Sequence, residues 1–584
     1  MAWKIGAAGG TAQSPRVGKI IDLLSRDIRE RSGVQVRMAG PADADCVLAV
    51  APGIGAEGFR IEDAAPGKVR IVGDDERGLL YGVGKFLRTS QYSPGEFSPG
   101  GWRGASVPVK PVRGMYFATH FHNFYHAAPI DKVVRYVEDL ALWGCNALSV
   151  WFDMHHYSGI NDPAAQDHVR RLRAIVQAAN NVGMGASLTT LANEAYADSP
   201  PGLRADWTCG HDGYTAPPGG HYHVEICPSK PGGLDLILRY RREMLEAFRD
   251  LDIRYFWLWP YDQGGCTCGA CAPWGANGFL RTAEAVARLV REMLPGAKTV
   301  LSTWYFDLFT RGEWDGLAAA FRAKRPDWVD YILADDYGRF PDYPLRHGIP
   351  GGFPALNFPE ISMQGMHPWG GFGANPRPRH WQEYWDSSRE LVCGGFPYSE
   401  GIFEDANKAL MLQYGWDPTR TAEDILREYA AYEFGPEAAG EVACAMRRME
   451  EHEGIEAVFR PEGGQEDLGI YAAPHHIKPG RPYTMSYACK NPDTTGESDR
   501  ILARLDAQLA PAVRDRWRWR VLRVRAAMDA ELAASGGQPT EKTDALMEEL
   551  AGMYETGTSD VMAVVPPSRS AIRRLLWHGE ARCL

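Results

Sequence analysis

The stretch RYFWLWPYDQGGCTCGACAPWG, from Arg254 to Gly275, joins a run of apolar and aromatic residues to a lone acid and three cysteines. The apolar run is far too short to span a membrane, and its length and aromatic content are typical of a buried β-strand. Asp262 follows that strand at once. Because a carboxylate is costly to bury without a partner, an acid at this position indicates a functional site.

The same pattern of apolar strand, polar loop and amphipathic helix repeats from Val112 onward. Eight such units predict an α/β protein built on a (β/α)₈ TIM barrel, with its active site at the carboxyl ends of the strands. Carboxylates recur where the strands stop, which chance placement does not explain. The predicted strands are MYFATH, ALSVWFD, GASLTTLANE, YFWLWPYD, TVLSTWYF, YILADD, FPALNFPE and GGFPYSE, ending at His120, Asp153, Glu194, Asp262, Phe306, Asp336, Glu360 and Glu400.

Three domains are predicted along the chain. Residues 1–108 alternate short strands with two helices, which predicts a small α/β accessory domain, and SPGEFSPGGWRGASVPVKP reads as a linker. Residues 109–416 form the barrel. Residues 417–584 are predicted to be mostly α-helical, interrupted by the irregular stretch GGQEDLGIYAAPHHIKPGRPYTMSYACKNPDTTG. We expect this helical region to pack on the barrel and to hold a homodimer interface.

The composition is that of a soluble globular enzyme, with 584 residues, 45% of them hydrophobic and 23% charged. A net charge of -11 repels nucleic acid and anionic membranes, so neither is expected as a partner. The first residues, MAWKIGAAGGTAQSPR, lack the features of a signal peptide, which predicts a cytoplasmic location. The 11 cysteines, an odd number, fit reduced thiols or a metal site better than a disulfide framework.

Hydrolysis of a glycosidic bond needs one carboxylic acid to protonate the leaving oxygen and a second carboxylate to activate water or attack the sugar. The segment GDDERGLLYGVGKFLR, from Gly73 to Arg88, resembles the end of the accessory domain that precedes the barrel in family 20 hexosaminidases and family 67 α-glucuronidases. The order of the strand-end acids is most similar to the α-glucuronidases. That resemblance implies Asp262 as the general acid, where the family has a glutamate, and Asp335 or Asp336 with Glu360 as the base pair.

We therefore predict an exo-acting glycoside hydrolase that removes a terminal sugar from a small oligosaccharide or glycoside. A β-N-acetylhexosaminidase with substrate-assisted catalysis is the second interpretation. In family 20 and family 84 enzymes adjacent acids follow strand 4, whereas here Gln263 follows Asp262 and the adjacent aspartates are Asp335 and Asp336 on strand 6. A barrel that only binds carbohydrate is the third.

Polar and aromatic residues around the same rim are predicted to bind sugar hydroxyl groups and to stack on sugar rings. A uronic acid would need a cationic clamp, for which Arg339 and Arg113 are candidates. Glu404 and Asp405 are interpreted as helix-start acids, and without an HExxH-type spacing the histidine and acid cluster is not predicted to hold a catalytic metal. The predicted binding residues are His120, His122, Asp153, His155, Glu194, Trp259, Tyr261, Trp304, Tyr305, Trp369 and Glu400.

The cysteines after Asp262 form CxCxxC, a spacing that places three thiolates around one ion. Cys227, in HVEICPSKP on the neighbouring barrel loop, completes a predicted site with Cys266, Cys268 and Cys271, and Cys209 and His211 are alternates for the fourth ligand. These loops resemble those of family 163 endo-N-acetylglucosaminidases. We expect a structural zinc that braces the loop holding Asp262, with free thiols or one disulfide as the alternatives, and no organic cofactor.

Overall fold

The computed structural model describes residues 2–119, 124–206, 224–261, 265–307, 310–334, 339–362, 374–452, 460–461, 483–484, 492–535, 540–543, 545–546 and 549. Three groups of elements follow one another along the chain: a mixed sheet with two helices, a parallel barrel, and a set of helices. One continuous set of buried side chains runs through all three groups.

The first group is a six-stranded sheet with strand order β2-β1-β3-β5-β4-β8. The predicted α/β pattern is confirmed here, but the predicted linker is not free of structure, because it contains β7 and β8. β8 is an edge strand that pairs with β4. Three-residue strands are too short to give a periodic signal in the sequence. The elements are β1 Trp3–Ala7, α1 Pro15–Ser32, β2 Val36–Met38, β3 Cys46–Val50, β4 Phe59–Ala65, β5 Lys68–Gly73, α2 Glu76–Thr89, β6 Gln91–Ser93, β7 Glu96–Ser98 and β8 Gly104–Ser106.

The second group is the predicted eight-stranded parallel barrel. Its first strand pairs with both the second and the eighth, which closes the sheet. The strands are β9 Val112–Phe117, β10 Ala147–Trp151, β11 Gly185–Leu191, β12 Ile253–Trp259, β13 Lys298–Ser302, β14 Tyr331–Ala334, β15 Ala355–Asn357 and β16 Val392–Gly395, with a short β17 Tyr398–Ser399. The helices are α3 Phe124–Ala127, α4 Ile130–Leu142, α5 Pro163–Asn181, α6 Gly233–Glu246, α7 Gly278–Met293, α8 Glu313–Ala323, α9 Asp342–His347, α10 Pro378–Ser388 and α11 Asp405–Trp416.

Where the structure describes the residues that follow a barrel strand, the strand ends before the residue at which the sequence pattern placed its end. β10 stops at Trp151, two residues before Asp153, and β15 stops at Asn357, three residues before Glu360. These two acids therefore lie in the loops that follow the strands. In the sequence, a buried residue just past the last ladder hydrogen bond cannot be distinguished from one inside the strand. The predicted strand ends were therefore placed too far along the chain.

The third group consists of helices that pack beside the barrel. The irregular stretch was predicted to reach Gly496, but α14 already begins at Pro492, a residue type that favours the first turn of a helix. None of the described helices combines the length and the apolar run needed to cross a bilayer. The homodimer interface and the domain boundaries stay predictions. The elements are α12 Ala422–Phe434, α13 Ala439–His452, β18 Arg460–Pro461, β19 Tyr483–Thr484, α14 Pro492–Gln508, α15 Pro511–Arg514 and α16 Trp517–Ala534.

A charged cluster centred on Glu428 of α12 ties the three groups together. Its carboxylate accepts from Arg88 Nε at 2.8 Å and from Lys85 Nζ at 3.0 Å, both on α2, and lies 2.9 Å from Arg420. Arg88 also donates to the carbonyl oxygen of Leu142 at the end of α4. Burial alone would raise the pKa of Glu428, but the three cations outweigh it and hold that pKa well below its ordinary value.

We predict that Glu428→Gln lowers the free energy of unfolding by about 3 kcal/mol at neutral pH, because it leaves nearly buried cations without their anion. Since the pKa of Glu428 is depressed in the folded chain, this stabilisation is present above the ordinary carboxyl range and is lost as the pH falls through it. The difference between wild type and variant should therefore shrink in acid. Urea unfolding at several pH values measures it. Glu390→Gln, whose side chain is 91% exposed, is the matched control and should change little.

Candidate active site at the barrel mouth

The carboxyl ends of the eight strands meet at one rim, which we call the mouth, and the described site residues follow those ends as predicted. Of the predicted catalytic residues the structure describes Glu360. Six predicted site residues lie outside the described residues, and their roles stay predictions: Asp262, Asp335, Asp336, His120, His122 and Trp369.

Aromatic rings fill the barrel interior just below the mouth. Phe358, which follows β15, meets Trp259 edge-on at 4.9 Å and Trp304 at 5.5 Å between ring centroids. Tyr305 stacks on Trp304 at 4.4 Å and has a positive φ of 58°, a conformation that non-glycine residues rarely adopt outside functional sites. Trp259 and Trp304 are only 6% and 3% exposed. These rings therefore form the floor of the mouth, and neighbouring rings cover their faces.

Two buried carboxylates, Glu360 and Glu400, follow the seventh and eighth strands. The Tyr398 hydroxyl donates to Glu400 Oε1 at 2.7 Å. Burial raises the pKa of Tyr398 well above its ordinary value, and the negative charges of Glu400 and Glu360 raise it further. Tyr398 is therefore close to the negative charges of both acids. It stays protonated and can donate a hydrogen bond between the two loops.

Glu404 is the residue that holds these two loops in place, and the sequence interpretation missed it. It does precede α11, as a helix-start acid would, but its side chain is buried and its Oε1 accepts several hydrogen bonds. The donors are Ser399 Oγ at 2.6 Å, Ser362 Oγ at 2.7 Å and Lys408 Nζ at 3.1 Å. Ser362 comes from the loop after β15, so one carboxylate joins the ends of the seventh and eighth strands.

The same oxygen of Glu404 reaches the backbone of its neighbours. The amide groups of Glu400 and Gly401 both donate to it at 3.2 Å. The Lys408 ammonium, fully buried, balances its charge and also donates to the Gly401 carbonyl oxygen at 2.6 Å. The sequence signal was the Glu404–Lys408 pair, one turn apart on a helix whose residues are otherwise apolar or uncharged from Ala406 to Trp416.

The loops after β10 and β11 bring Asp153, His155 and Glu194 together, and their role in binding a sugar stays a prediction. Glu194 accepts from the Trp151 indole N–H at 3.0 Å and lies 2.9 Å from His155 Nδ1. Asp153 is fully buried, and although burial raises its pKa, the imidazoles of His156, His168 and His155 hold that pKa below its ordinary value.

Glu225 is a second buried acid that the sequence interpretation did not select. It forms an isolated antiparallel bridge with Glu194 and is 1% exposed. Glu225 lies 31 positions after Glu194 in the sequence and pairs with it through a single isolated bridge, so no periodic pattern marked it. The third loop therefore contributes two buried glutamates to the mouth.

The Tyr261 hydroxyl group makes a structural contact rather than being available to bind a sugar. Its hydroxyl group donates to Glu313 Oε1 at the start of α8, and the amides of Gly275 and Asp307 donate to the same carboxylate at 2.6 and 3.1 Å. Burial raises the pKa of Glu313 to about 7, and the negative charge of Asp307 adds to the shift. Glu313, also missed from the sequence, thus joins the loops after the fourth and fifth strands.

The four predicted cysteine ligands form one cluster beside the fourth loop. Cys227 Sγ lies 3.8 Å from Cys268 Sγ and 3.9 Å from Cys271 Sγ, and all four sulfur atoms lie within 4.8 Å of one another. Four thiolates at about 2.3 Å from a tetrahedral zinc ion would be about 3.8 Å apart. The four sulfur atoms share hydrogen bonds, and the one from Cys266 lowers the pKa of Cys271 while that of Cys266 is raised. All four are free thiols, and the group could hold a metal ion.

The suggestion that Arg113 clamps a uronic acid is wrong. Arg113 lies near the start of β9, at the end of the barrel opposite the mouth. Its guanidinium group is fully buried against Glu57 and donates to the carbonyl oxygens of Gly144 and Lys110. The first strand was predicted to begin at Met115, whereas β9 begins at Val112 and includes Arg113 at its amino end, on the far side of the barrel.

Comparison with known proteins establishes the fold. No family model matches the sequence, and no curated protein matches it. Among solved structures, the chain is similar to a family GH115 4-O-methyl-α-glucuronidase with specificity for decorated arabinogalactans. The TM-score is 0.63 at 12% identity, over 99% of this chain and 80% of that one.

Two further similarities cover most of the chain. A family 89 glycoside hydrolase from Clostridium perfringens, in complex with GlcNAc-α-1,4-galactose, aligns with a TM-score of 0.61 at 14% identity, over 93% of this chain and 65% of that one. A family GH20 chitobiase from Flavobacterium johnsoniae aligns with a TM-score of 0.51 at 14% identity, over 98% and 96%. At these identities the similarity shows the fold alone, and that fold is the TIM barrel expected from the sequence.

We predict that Glu313→Gln changes how stability depends on pH. The pKa of Glu313 is raised in the folded chain, so the folded state binds the proton more tightly and loses stability as the pH rises from the ordinary carboxyl range to about 7. Glutamine mimics the protonated acid and removes this loss, which amounts to about 3 kcal/mol for a pKa shift of this size. Urea unfolding at pH 5 and pH 8 tests it.

The variant should be as stable as the wild type in acid and more stable above neutral pH. Glu292→Gln, at a side chain that is 64% exposed, is the control. Parallel pH profiles for wild type and Glu313→Gln would contradict the prediction.

Proposed function

We propose that the protein is an exo-acting glycoside hydrolase that cleaves a terminal sugar from a small oligosaccharide or glycoside by carboxylate general acid/base catalysis. The observation that carries the proposal is the ring of buried carboxylates at the mouth, where Asp153, Glu194, Glu360 and Glu400 follow four different strands. Buried acids are destabilising unless a function or a partner retains them. The solved structures of similar fold reported above are all described as enzymes acting on glycans.

The chemistry assigned to these acids follows the needs of glycosidic cleavage. Asp262 protonates the leaving oxygen, and Glu360 with Asp335 or Asp336 acts as the base. Glu400, held by Tyr398 and by the backbone contacts of Glu404, binds substrate hydroxyl groups. Low polarity around a buried carboxyl group raises its pKa, which suits the residue that must deliver a proton.

The strand order favours this assignment over substrate-assisted catalysis. β12 is the fourth barrel strand and β14 the sixth, so Asp262 follows strand 4 and the adjacent pair Asp335 and Asp336 follows strand 6. Substrate assistance, as the hexosaminidase resemblance describes it, uses adjacent acids after strand 4. A β-N-acetylhexosaminidase therefore remains the second candidate.

The charges of the mouth favour an uncharged terminal sugar over a uronic acid. In sequence, the loops between each barrel strand and the next long helix contain few cations and many acids. Arg204 donates to the Ala197 carbonyl oxygen and Lys230 to Asp206, so both are engaged within the third loop. A carboxylate on the substrate would be repelled by the acids at the rim. The cations of these loops are Arg204, Lys230, Arg311, Arg339 and Arg377.

The cysteine cluster is proposed to hold a structural zinc ion. Four sulfur donors leave no open position for chemistry, which is typical of structural rather than catalytic zinc. Cys266 lies four residues after Asp262 in the sequence, so a zinc ion at the cluster would fix the loop that carries the proposed general acid.

We predict that Asp262→Asn and Glu360→Gln each lower kcat by about 10²–10⁴-fold, the usual contribution of a general acid or base. The substrates are nitrophenyl glycosides of neutral, uronic and N-acetylated sugars, with product anomers followed by proton NMR. Asp327→Asn, at a side chain that is 76% exposed, is the matched control and should keep wild-type activity. Neutral glycosides should be turned over and uronides should not.

Full activity in Asp262→Asn would remove Asp262 from the mechanism. Binding of oligosaccharides without turnover of any of them would make the protein a carbohydrate-binding barrel instead.

We predict that chelation of zinc, or Cys268→Ser, lowers the thermal midpoint. Zinc bound to the folded chain alone stabilises it by about 4 kcal/mol when free zinc exceeds Kd by about 1,000-fold. Differential scanning calorimetry with metal analysis measures both effects. Cys444→Ser, a free cysteine on α13 outside the cluster, is the matched control. A wild-type protein that contains no zinc, and whose midpoint does not respond to added zinc, would refute the assignment.

A further inference from the structure

A second group of metal-binding side chains lies at the mouth, outside the cysteine cluster. Asp153, His155 and His156 follow β10 on one short 3₁₀ turn, Met154–His156, and their ligand atoms lie within 4.8 Å of one another. Asp153 is fully buried and His155 is 7% exposed, whereas the His156 side chain is 41% exposed. Two of the three side chains are therefore buried inside the barrel rim, whereas that of His156 is accessible to solvent.

The contact between Asp153 and His156 brings two potential ligands of one ion close together. His156 Nε2 lies 3.1 Å from Asp153 Oδ2, yet the pair does not have hydrogen-bond geometry, and neither Asp153 oxygen accepts a hydrogen bond within the described part of the chain. Nitrogen and oxygen ligands at about 2.0–2.1 Å from one tetrahedral metal ion are about 3.3–3.4 Å apart. The two atoms would need to move apart by only about 0.2–0.3 Å to bind one ion in this geometry.

Histidine side chains surround the Asp153 carboxylate. Its other oxygen lies 3.4 Å from His168 Nδ1, and that nitrogen is 2.9 Å from the Tyr157 hydroxyl. Both Asp153 oxygens are buried without a hydrogen-bond partner among the described residues. A divalent cation bound to them would stabilise the buried charge.

Glu194 orients the second ligand. It lies 2.9 Å from His155 Nδ1, so Nε2 is the ring nitrogen that would bind a metal. A carboxylate on the far nitrogen of a metal-binding histidine fixes the tautomer and the ring orientation and makes the ligand more basic. The ring centroids of His155 and His156 are 4.1 Å apart, so the two imidazoles lie side by side next to Asp153.

We propose that Asp153, His155 and His156 bind a divalent transition-metal cation of the zinc type at the mouth of the barrel. Two imidazoles and one carboxylate suit such an ion, and three protein ligands leave a coordination position for water or a substrate hydroxyl group. The site is separate from the cysteine cluster, whose four sulfur ligands would hold their own ion. It places a positive charge among the acids that bind the sugar.

The test counts zinc in the full-length protein without measuring activity. After removal of metals with a chelator, the protein is dialysed against micromolar Zn²⁺, and bound zinc is measured by mass spectrometry. Wild type should bind one more zinc ion than His156→Ala or Asp153→Asn, and Cys268→Ser should keep that ion. Glu194→Gln should weaken zinc binding at this site about 10–100-fold, as loss of the carboxylate behind a histidine ligand does.

Cobalt distinguishes the two sites. Co²⁺ in the cysteine cluster gives strong thiolate charge-transfer absorption, whereas Co²⁺ at Asp153, His155 and His156 gives only weak ligand-field bands, which His156→Ala should remove. His347→Ala, at an exposed histidine on α9, is the matched control. Zinc content in His156→Ala and Asp153→Asn equal to that of His347→Ala would overturn the proposal. The chelated forms of His156→Ala and wild type should have equal thermal midpoints, which separates loss of the ion from loss of the fold.

Discussion

Closure of the parallel sheet by β9, which pairs with β10 on one side and β16 on the other, is the constraint on which the rest of the structure depends. Parallel strands point the same way, so a closed barrel brings all eight carboxyl ends to one rim. Every loop that leaves this rim starts from the buried carboxyl end of a strand. Polar groups at the rim are removed from water, so each buried acid must be stabilised by neighbouring side chains or backbone groups.

The described acids meet this requirement in three different ways. Glu404 accepts hydrogen bonds from two serine hydroxyl groups, two backbone amides and a buried lysine, which stabilise it as an anion. Glu313 has fewer charged partners, and burial raises its pKa to about 7, so it holds a proton through much of the physiological range. Among the described residues, Asp153 lies beside imidazoles and its oxygens accept no hydrogen bond. The first two arrangements are complete within the chain, whereas a bound cation would complete the third, which is why we propose a metal there and not at Glu404.

The sequence predicted the fold well because the barrel signal is local and repeats. Each apolar strand, such as YFWLWPYD, and each amphipathic helix can be read by itself, and the resulting strand count places Asp262 after strand 4. Contacts between distant residues were not predictable in the same way. Tyr261 and Glu313 are 52 positions apart and Ser362 and Glu404 are 42 apart, and neither pair leaves a periodic mark. Cys227 could be predicted as the fourth ligand because adjacent barrel strands place their loops side by side. That prediction came from the barrel topology and not from the spacing of the cysteines.

The loop after β12 is held on both sides of the segment that contains Asp262. On the amino side, Tyr261 is bound to Glu313 of α8. On the carboxyl side, Asn193 donates to the Gly265 carbonyl oxygen at 3.4 Å, and Cys266, Cys268 and Cys271 meet Cys227 of the neighbouring loop. An aspartate reaches less far than the glutamate of the α-glucuronidases, so under the proposed mechanism a proton donor of this length depends on the backbone that carries it. Catalytic groups displaced by about 1 Å can lose about 10²-fold in rate. The paired anchors therefore offer a physical reason for the cysteines that follow the strand: they hold the loop on the carboxyl side of the acid that is proposed to meet the leaving oxygen.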